Sequence, residues 1–533
     1  MRRMRLWSWL LSLGIMLALA GAAAAQSGQA KSVDLLLRGG LVVDGSGATP
    51  RIADVGIQGE RIVFVGNAAK AKVTAARTID AKGLLVAPGF IDPHTHVGGD
   101  LSDPARNANL CYLMQGVTTV VVGNDGAGPI KVAETLERWE KQGIGTNAAL
   151  YVGHGTVRGE VLGPGDVQPT PEQMEQMKAL VRQAMQEGAL GFSTGLFYVP
   201  GSFAKTEEVI ELSRVAGEMG CIYDSHMRDE DSYSIGVLGS IQETIRIGRE
   251  AHIPVHIAHI KALGPAVWGK SVEAIEMIRK ARAEGVDVTA DQYPYIASGS
   301  GLIPSLLPAW AQAGHRAEIV ARLTDPTNRA RLLEEMAENL KRRGGADSLL
   351  FTSRRATELV GRRLAEVAKE RKQDPVEAAL GIITEYMQKE MGGALAVASF
   401  NMSEQDIMRF MQQDWVMTGS DGSRGHPRLF GTFPRKLREY VYTKKLITLP
   451  FAVHQSSVRT AETLHLRDRG LLKPGYFADV IAFDPATIAG RSTYEDPEVL
   501  AVGMKYVVVN GKLAVENGEY TKVLAGKPLR RNQ

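Results

Sequence analysis

The segment Pro88-Gly89-Phe90-Ile91-Asp92-Pro93-His94-Thr95-His96 is an apolar run that ends in two histidines one residue apart. Side chains on a strand alternate between its two faces, so we expect His94 and His96 to point the same way and to bind one metal ion together. For this motif alone, a pair of solvent-exposed histidines at a strand end is the alternative. The polar residues of the other predicted strands decide between the two interpretations.

Downstream of this segment the chain alternates predicted strands with amphipathic helices. Further strands are expected over 118–123, 148–153, 190–194, 222–225, 255–258, 288–291 and 415–418. Between them, apolar residues recur at helical spacing over 171–187, 206–219, 235–251 and 272–284. Eight strands with helical crossovers predict an α/β fold of the (β/α)8 TIM barrel type, which we prefer to an open doubly wound sheet.

The remaining segments indicate two additions to the barrel. Residues 26–87 and 455–533 alternate short apolar runs with turn signals, which predicts one β-sandwich built from both chain ends beside a barrel over 88–454. About 120 residues separate the seventh predicted strand from the eighth, far more than one crossover helix needs. We therefore expect a helical insertion over about 303–395, near the mouth of the barrel.

Residues 1–25 have the pattern of a secretory signal peptide. Three arginines precede an apolar core over 6–20, and small residues at 23–25 form a cleavage site. The apolar core is shorter than a membrane-spanning helix needs, so we expect a periplasmic or secreted protein that has no membrane partner after cleavage.

The charge and the cysteine content limit the classes of partner. A formal net charge of +3 over 533 residues, with charges spread along the chain, gives no basis for nucleic-acid binding. Cys111 and Cys221 lie in different predicted elements and no spacing pairs them, so both are expected to be buried thiols. We expect a small-molecule substrate as the partner because of the polar residues at the ends of the predicted strands.

Polar residues fall where the predicted strands end. His94 and His96 close the first strand, and further metal-binding side chains follow four other strands: Asp125, His226, His259 and Asp421. In a (β/α)8 barrel all these positions open onto the C-terminal face, where active sites of this fold lie. Four imidazoles and two carboxylates suit zinc and suffice for two ions. Two adjacent cations need an anionic bridge, and Asp125 is the best-placed candidate. The fourth strand, 189–195, contains no lysine that could be carboxylated to serve as the bridge.

Nine short motifs run through the chain in this order: Gly89–His96, Gly116–Asn124, Gly153–Arg158, Ser193–Tyr198, Ser225–Arg228, Ala258–Lys261, Asp291–Tyr295, Gly419–Gly422 and His426–Arg428. Together they resemble the motifs of the amidohydrolase superfamily and, within it, of the N-acyl-D-amino-acid deacylases (D-aminoacylases). The resemblance covers nearly the whole mature length. It implies a barrel with a β-sandwich, zinc, and an insertion before the eighth strand.

The resemblance also implies roles for individual residues. It implies that His226 and His259 hold the tighter zinc, that His94 and His96 face a second, weaker site, and that Asp421 is the catalytic carboxylate. The side chains that it implies for holding the α-carboxylate of the substrate are Tyr198, Lys261, Tyr293 and Arg428. An arginine fork suits bidentate capture of a carboxylate, and Lys261 shares a face with His259 if the strand continues.

One position departs from the pattern of the family. The deacylases commonly carry a cysteine after Gly123-Asn124, whereas this chain has Asp125. A carboxylate is a harder ligand than a thiolate, which predicts either fuller occupancy of both metal positions or a different preferred metal. We expect one or two zinc ions per chain.

These residues predict a zinc-dependent hydrolase that deacylates N-acyl-D-amino acids to a carboxylate and a free D-amino acid. The D configuration rests on the resemblance alone. The enzymatic alternatives are a dipeptidase for D-residue-containing substrates and a cyclic-amide hydrolase, the latter disfavoured by the missing lysine of the fourth strand. A periplasmic binding protein with a silent barrel is the non-enzymatic alternative, and the full ligand set disfavours it.

Three assignments have alternatives of their own. Asp421 could be only a metal ligand or a turn residue, Lys261 could pair with a metal-site carboxylate, and Arg428 could pair with a surface acid. His256 lies three residues before His259, so we expect it to point away from the site, into the layer between barrel and helices.

Overall fold

The structure is a computed structural model that describes residues 32–531, so the predicted signal peptide lies outside the described residues. The strands are, in chain order, β1 (Ser32–Val42), β2 (Arg51–Gln58), β3 (Arg61–Gly66), β4 (Thr74–Asp80), β5 (Leu85–Pro88), β6 (Phe90–Asp92), β7 (Val117–Val122), β8 (Asn147–Leu150), β9 (Val152–Gly153), β10 (Gly191–Gly195), β11 (Ile222–His226), β12 (Val255–Ile257), β13 (Val288–Gln292), β14 (Ser298–Gly301), β15 (Leu349–Phe351), β16 (Ala396–Ser399), β17 (Val416–Thr418), β18 (Val480–Phe483), β19 (Met504–Val509), β20 (Lys512–Glu516) and β21 (Glu519–Tyr520).

The α-helices are Gly98–Leu101, Leu110–Leu113, Val132–Gln142, His154–Leu162, Pro171–Gln186, Thr206–Glu218, Gly236–Ala251, Ser271–Ala283, Leu302–Leu306, Ala309–Gln312, Arg316–Thr324, Arg329–Arg342, Leu364–Arg371, Pro375–Gln388, Glu404–Met411, Arg428–Arg435, Leu449–Ser456 and Val458–Thr463. The helix that starts at Arg428 continues as a π-helix over Lys436–Thr443, and single 3₁₀ turns lie at Gly201–Phe203, Pro265–Val267, Ala346–Ser348 and Gly392–Ala394. None of the helices within residues 32–531 combines the length and the apolar character that crossing a bilayer requires.

Eight parallel strands form the barrel. One run pairs β6 with β7 and β7 with β8, and a second run pairs β9 through β13 in order and ends on β17. β8 and β9 are consecutive parts of the third barrel strand, separated by Tyr151 alone. The circle closes where the backbone N–H of Asp421 donates to the carbonyl oxygen of His94 at 2.9 Å and Thr95 bridges Gly422. The predicted (β/α)8 fold is confirmed.

Both chain ends contribute to one nine-stranded sheet, as predicted. Its order is β21-β20-β19-β18-β5-β1-β2-β3, with β4 paired to β1. β5 joins the two ends, because it runs parallel to β1 on one side and antiparallel to β18 on the other. The last barrel helices extend past the predicted boundary at residue 454, since Leu449–Ser456 and Val458–Thr463 both pack on β6 and β17.

The insertion before the eighth barrel strand has its own core and its own small sheet. β16 pairs antiparallel with β14 on one side and β15 on the other, and a separate apolar cluster includes Leu302, Leu332 and Ile383. The insertion expected over about 303–395 is mostly helical, with six helices between Leu302 and Gln388, and it carries this small sheet in addition. The strands were missed because they are three or four residues long and β14 reads Ser-Gly-Ser-Gly, which carries no apolar alternation.

Candidate metal centre and substrate cavity

Asp125 lies at the centre of the site because its carboxylate faces all four predicted histidine ligands. Its Oδ1 lies 3.4 Å from His94 Nε2, 3.6 Å from His226 Nδ1 and 3.5 Å from His259 Nε2. Its Oδ2 lies 3.5 Å from His96 Nε2. The single carboxylate therefore reaches both the His94–His96 pair and the His226–His259 pair, which is the arrangement expected of a bridge.

Asp421 completes the His94–His96 side of the site. Its Oδ1 lies 3.0 Å from His96 Nε2 and 3.7 Å from His94 Nε2. Arg428 holds the other oxygen, with Nη1 2.8 Å from Asp421 Oδ2. All six predicted ligands thus meet at the C-terminal end of the barrel.

Three of these residues stand just past the end of a barrel strand in the left-handed backbone region. φ is 57° at Asp125, 36° at His259 and 48° at Asp421. Side chains other than glycine rarely adopt this conformation, and such residues concentrate at functional sites where the surrounding structure enforces them. Close packing enforces it at Asp125, since a Cβ on Gly195 would lie 2.3 Å from the Asp125 carbonyl oxygen.

The residues fit a metal ion. Two atoms that both bind one tetrahedral zinc at about 2.0–2.2 Å are roughly 3.4 Å apart, close to the separations around Asp125. His226 Nδ1 and His259 Nε2 are 3.0 Å apart. His94 Nε2 and Asp125 Oδ1 are buried and have no hydrogen-bond partner among residues 32–531. Buried polar atoms are rarely left unpaired, so a cation is the partner that this donor set lacks.

The charges of the site hold both carboxylates in their ionised form. Burial alone would raise the pKa of Asp421, but the Arg428 guanidinium and His259 outweigh it and hold that pKa below its ordinary value. Burial likewise acts to raise the pKa of Asp125, and the neighbouring His94 and His226 hold it well below the ordinary range.

Glu230 is a site residue that the sequence did not reveal. Its Oε1 lies 3.1 Å from His259 Nδ1, and its Oε2 lies 3.8 Å from His226 Nε2. Lys261 Nζ donates to Glu230 Oε1 at 2.6 Å, so the alternative in which Lys261 pairs with a metal-site carboxylate is the one in the structure. The available signal was the spacing of Glu230, four residues after His226, but four-residue spacing carries no meaning in a loop.

The predicted substrate residues Tyr198, Lys261, Tyr293 and Arg428 all line one cavity beside the metal centre. The Tyr198 ring packs on the His226 ring with centroids 4.6 Å apart. Arg428 is buried under Tyr293, with its guanidinium carbon 4.7 Å from the ring centroid. The alternative that pairs Arg428 with a surface acid is therefore wrong.

His256 corrects another expectation. It does not point into the layer between barrel and helices, because His256 Nε2 lies 2.9 Å from Asp291 Oδ2, and that same oxygen lies 4.0 Å from His94 Nδ1. Alternation failed as a guide because β12 ends at Ile257 and His259 adopts a left-handed backbone. His256 and Asp291 instead form part of a buried polar layer beneath the metal ligands.

The cavity above the metal centre has a volume of about 750 Å³, within the usual range for small-molecule sites. The barrel supplies His96, Asp125, His226 and Asp421 to its floor. The insertion supplies much of the opposite wall, which mixes apolar side chains with one cation: Ile303, Pro304, Arg343, Leu395 and Val397.

A family model described as the amidohydrolase family matches residues 77–515. The chain belongs to this family. It is 36% identical to the D-aminoacylase of Alcaligenes xylosoxydans xylosoxydans, across 93% of this chain and 98% of that protein. The expected membership, including the D-aminoacylase branch, is confirmed.

Two solved structures of this family extend the comparison. A D-aminoacylase with a binuclear metal centre matches with a TM-score of 0.78 at 34% identity, covering 94% of this chain and all of that chain. The N-acyl-D-glutamate deacylase of Bordetella bronchiseptica, complexed with zinc and a phosphonate that mimics the tetrahedral intermediate, also gives a TM-score of 0.78, at 31% identity over the same shares. The barrel and sandwich of this chain are thus those of metal-dependent deacylases.

Proposed function

We propose that this protein is a zinc-dependent amidohydrolase that deacylates N-acyl-D-amino acids. The observation that carries the proposal is the convergence of four histidines on the Asp125 carboxylate, with Asp421 beside His96 and Arg428 buried against Asp421. The D-aminoacylase and N-acyl-D-glutamate deacylase relatives support both the substrate class and the metal. His226 and His259 would hold one ion, His94, His96 and Asp421 a second, and Asp125 would bridge them.

The chemistry divides between the metal and the chain. Zinc in this site supplies a water of lowered pKa and polarises the amide carbonyl. Asp421 takes the proton of the attacking water and passes it to the leaving nitrogen, a role worth about 10² to 10⁴ in rate. Arg428 orients the Asp421 carboxylate and keeps it ionised, so that it can accept the proton.

The same arginine is placed to bind the α-carboxylate of the substrate. Arg428 lines the cavity, and its buried Nε has no hydrogen-bond partner among the described residues. Tyr293 stacks against the guanidinium, and Lys261 Nζ lies 5.8 Å from the centroid of the same ring. An anion held here lies a short, fixed distance from the metal centre, as the carboxylate of an N-acyl amino acid does from its amide.

The test is turnover by purified, zinc-loaded protein. We expect release of acetate from N-acetyl-D-leucine, with slower reactions for N-acetyl-L-leucine, a D-residue-containing dipeptide and a hydantoin. Chelation should abolish the activity and added zinc should restore it. His259→Ala should lose bound metal, whereas the control His465→Ala, at an exposed histidine outside the site, should not. Unchanged metal content in His259→Ala, or preference for the hydantoin, would contradict the proposal.

We further propose that the protein is exported and acts in the periplasm or outside the cell. The arginines followed by an apolar core and small residues at 23–25 support this location. Expression with a C-terminal tag should yield a product in the periplasmic or secreted fraction whose first residue is Gln26. A cytoplasmic product that retains Met1 would contradict it.

A further inference from the structure

Arg343 is a buried cation in the wall of the substrate cavity. It follows the helix Arg329–Arg342 of the insertion and is only 2% exposed. Its Nε donates to the Tyr233 hydroxyl at 2.6 Å, and its guanidinium carbon lies 5.6 Å from the centroid of the Phe197 ring. These contacts fix the guanidinium in place against the cavity.

No carboxylate within residues 32–531 pairs with this guanidinium. Arg343 is one of four buried arginines in the described part of the chain, and each of the others has an acidic partner within ion-pair distance: Glu208 for Arg158, Asp421 for Arg428 and Asp479 for Arg469. The only side-chain hydrogen bond of Arg343 within the described residues is the one from Nε to the Tyr233 hydroxyl. Its two terminal nitrogens therefore make no hydrogen bond to these residues. Glu230 and Asp231 act on this guanidinium electrostatically, but neither lies within ion-pair distance of it. Buried charges are normally paired, so this position can accept a further anion.

Arg343 and Arg428 line the same cavity at different places. Phe197, which contacts Arg343, packs on the His226 ring with centroids 5.9 Å apart. Arg428 contacts Asp421 instead. A substrate whose α-carboxylate is at Arg428 shares this cavity with the Arg343 guanidinium, which is a second cation available to an anionic group.

We propose that Arg343 binds a second carboxylate of the substrate. This inference rests on the proposed deacylase function and narrows it to dianionic N-acyl amino acids. The second carboxylate belongs either to an acidic side chain or to a dicarboxylic acyl group, and the planar guanidinium fork suits both. Arg343 is thus a specificity-determining residue contributed by the insertion, not by the barrel.

Two isosteric substrate pairs test the proposal with the zinc-loaded full-length protein. The first pair is N-acetyl-D-glutamate and N-acetyl-D-glutamine, which differ in the charge of the side chain. The second pair is N-succinyl-D-leucine and its succinamoyl amide, which differ in the charge of the acyl group. In at least one pair we expect kcat/KM to favour the dianion by about 10- to 100-fold, the range for a hydrogen bond to a charged group. The pair that shows the preference identifies the source of the carboxylate.

Arg343→Met should abolish that preference, so that kcat/KM falls much further for the dianion than for the neutral partner of the pair. Arg343→Lys should retain part of the preference, because it keeps the charge and loses the fork. Arg342→Met is the matched control, since Arg342 donates to Asn339 and does not line the cavity. It should leave the preference intact.

The outcomes separate this inference from the proposed function. Equal rates within both wild-type pairs would overturn the role of Arg343 while leaving the deacylase assignment standing. Equal losses on charged and neutral substrates in Arg343→Met would show that Arg343 supports the fold and would also overturn it. Failure to hydrolyse any of the four substrates would overturn the proposed function itself.

Discussion

At the scale of single residues, the metal centre depends most on Asp125. Its two oxygens are the only carboxylate atoms of the described residues that lie within 3.6 Å of all four site histidines. Two adjacent cations repel each other, and a shared anion offsets that repulsion. Loss of the carboxylate therefore affects both metal positions at once.

We predict that Asp125→Ala loses at least one bound ion per chain and most of the activity. Asp125→Cys should restore metal binding with a preference shifted toward softer metals, because a thiolate replaces a carboxylate. Metal analysis of the purified variants and activity with zinc, cadmium and manganese measure both effects. Asp414→Ala, at an exposed aspartate without a described side-chain partner, is the control. Full occupancy and rate in Asp125→Ala would mean that Asp125 is only a loop residue.

At Asp421, kinetics can distinguish a role in the chemical step from a role in substrate binding. A proton shuttle acts mainly in the transition state, so Asp421→Asn should lower kcat by about 10² or more with a limited change in KM. The amide keeps the shape of the side chain and an oxygen that can still face Arg428. Steady-state kinetics at matched zinc content provide the measurement, and a near-normal kcat would remove Asp421 from the proton transfer.

The sequence predicted the metal ligands better than the residues that contact those ligands. His94, His96, Asp125 and Asp421 could be found because each follows a predicted strand, and position in a barrel then brings them together. Glu230 and the His256–Asp291 pair could not, because their contacts depend on loop paths and on a strand that ends before the expected residue. Arg343 was missed because it comes from the insertion, whose docking no periodicity predicts.

At the scale of elements, long amphipathic helices and apolar strands were predicted well. The helices Pro171–Gln186 and Thr206–Glu218 start where expected and end within one residue of the prediction, and β7 is shifted by one residue. These elements bury one apolar face against the barrel, so their sequence period is strong. The short antiparallel strands of the insertion have no such signal, because pairing with distant segments forms them.

The helix after β17 contains a buried lysine, Lys436. Its burial predicts that the stability of the protein depends on pH. Lys436 Nζ donates to Thr418 Oγ1 at 2.7 Å and Gln455 Oε1 at 2.9 Å, and no described carboxylate forms an ion pair with it. Burial lowers the pKa of Lys436 to about 7. The unfolded chain binds this proton more readily, so the contribution of Lys436 to stability is greatest above about pH 10 and is lost as the pH falls toward 7, by up to about 1.4 kcal/mol per unit.

The unfolding free energy of Lys436→Met, relative to that of the wild type, should therefore be lowest near pH 10. This relative stability should rise steadily as the pH falls to 7 and then level off. Below its folded pKa the wild-type lysine is protonated in both the folded and the unfolded state, so the difference no longer changes. Urea unfolding between pH 6 and 10 gives the difference in unfolding free energy directly. The exposed Lys445→Met should show a nearly constant difference over this range. A constant difference for Lys436→Met as well would contradict the low pKa.

At the scale of the whole molecule, a buried polar network joins the sandwich to the barrel. Asp479, just before β18, forms an ion pair with Arg469 and accepts from the backbone N–H of Asn510 at 2.8 Å. Asn510 donates in turn to Asn147 Oδ1 of the barrel strand β8 at 2.7 Å. Since Asp479 and Arg469 are each about 5% exposed, the junction depends on charges that have little access to water.

Removal of one partner from that ion pair should weaken the molecule without touching the metal ligands. We predict that Asp479→Ala lowers the unfolding free energy by about 3–5 kcal/mol, because it leaves the Arg469 charge buried and alone. Arg469→Met combined with Asp479→Asn should cost less, since no lone charge remains. The exposed pair of Arg246 and Glu250 is the control, and Glu250→Ala should change stability by less than about 1 kcal/mol. Thermal and urea unfolding with metal analysis would measure these effects, and an Asp479→Ala protein as stable as Glu250→Ala would mean that apolar packing, not this network, holds the sandwich on the barrel.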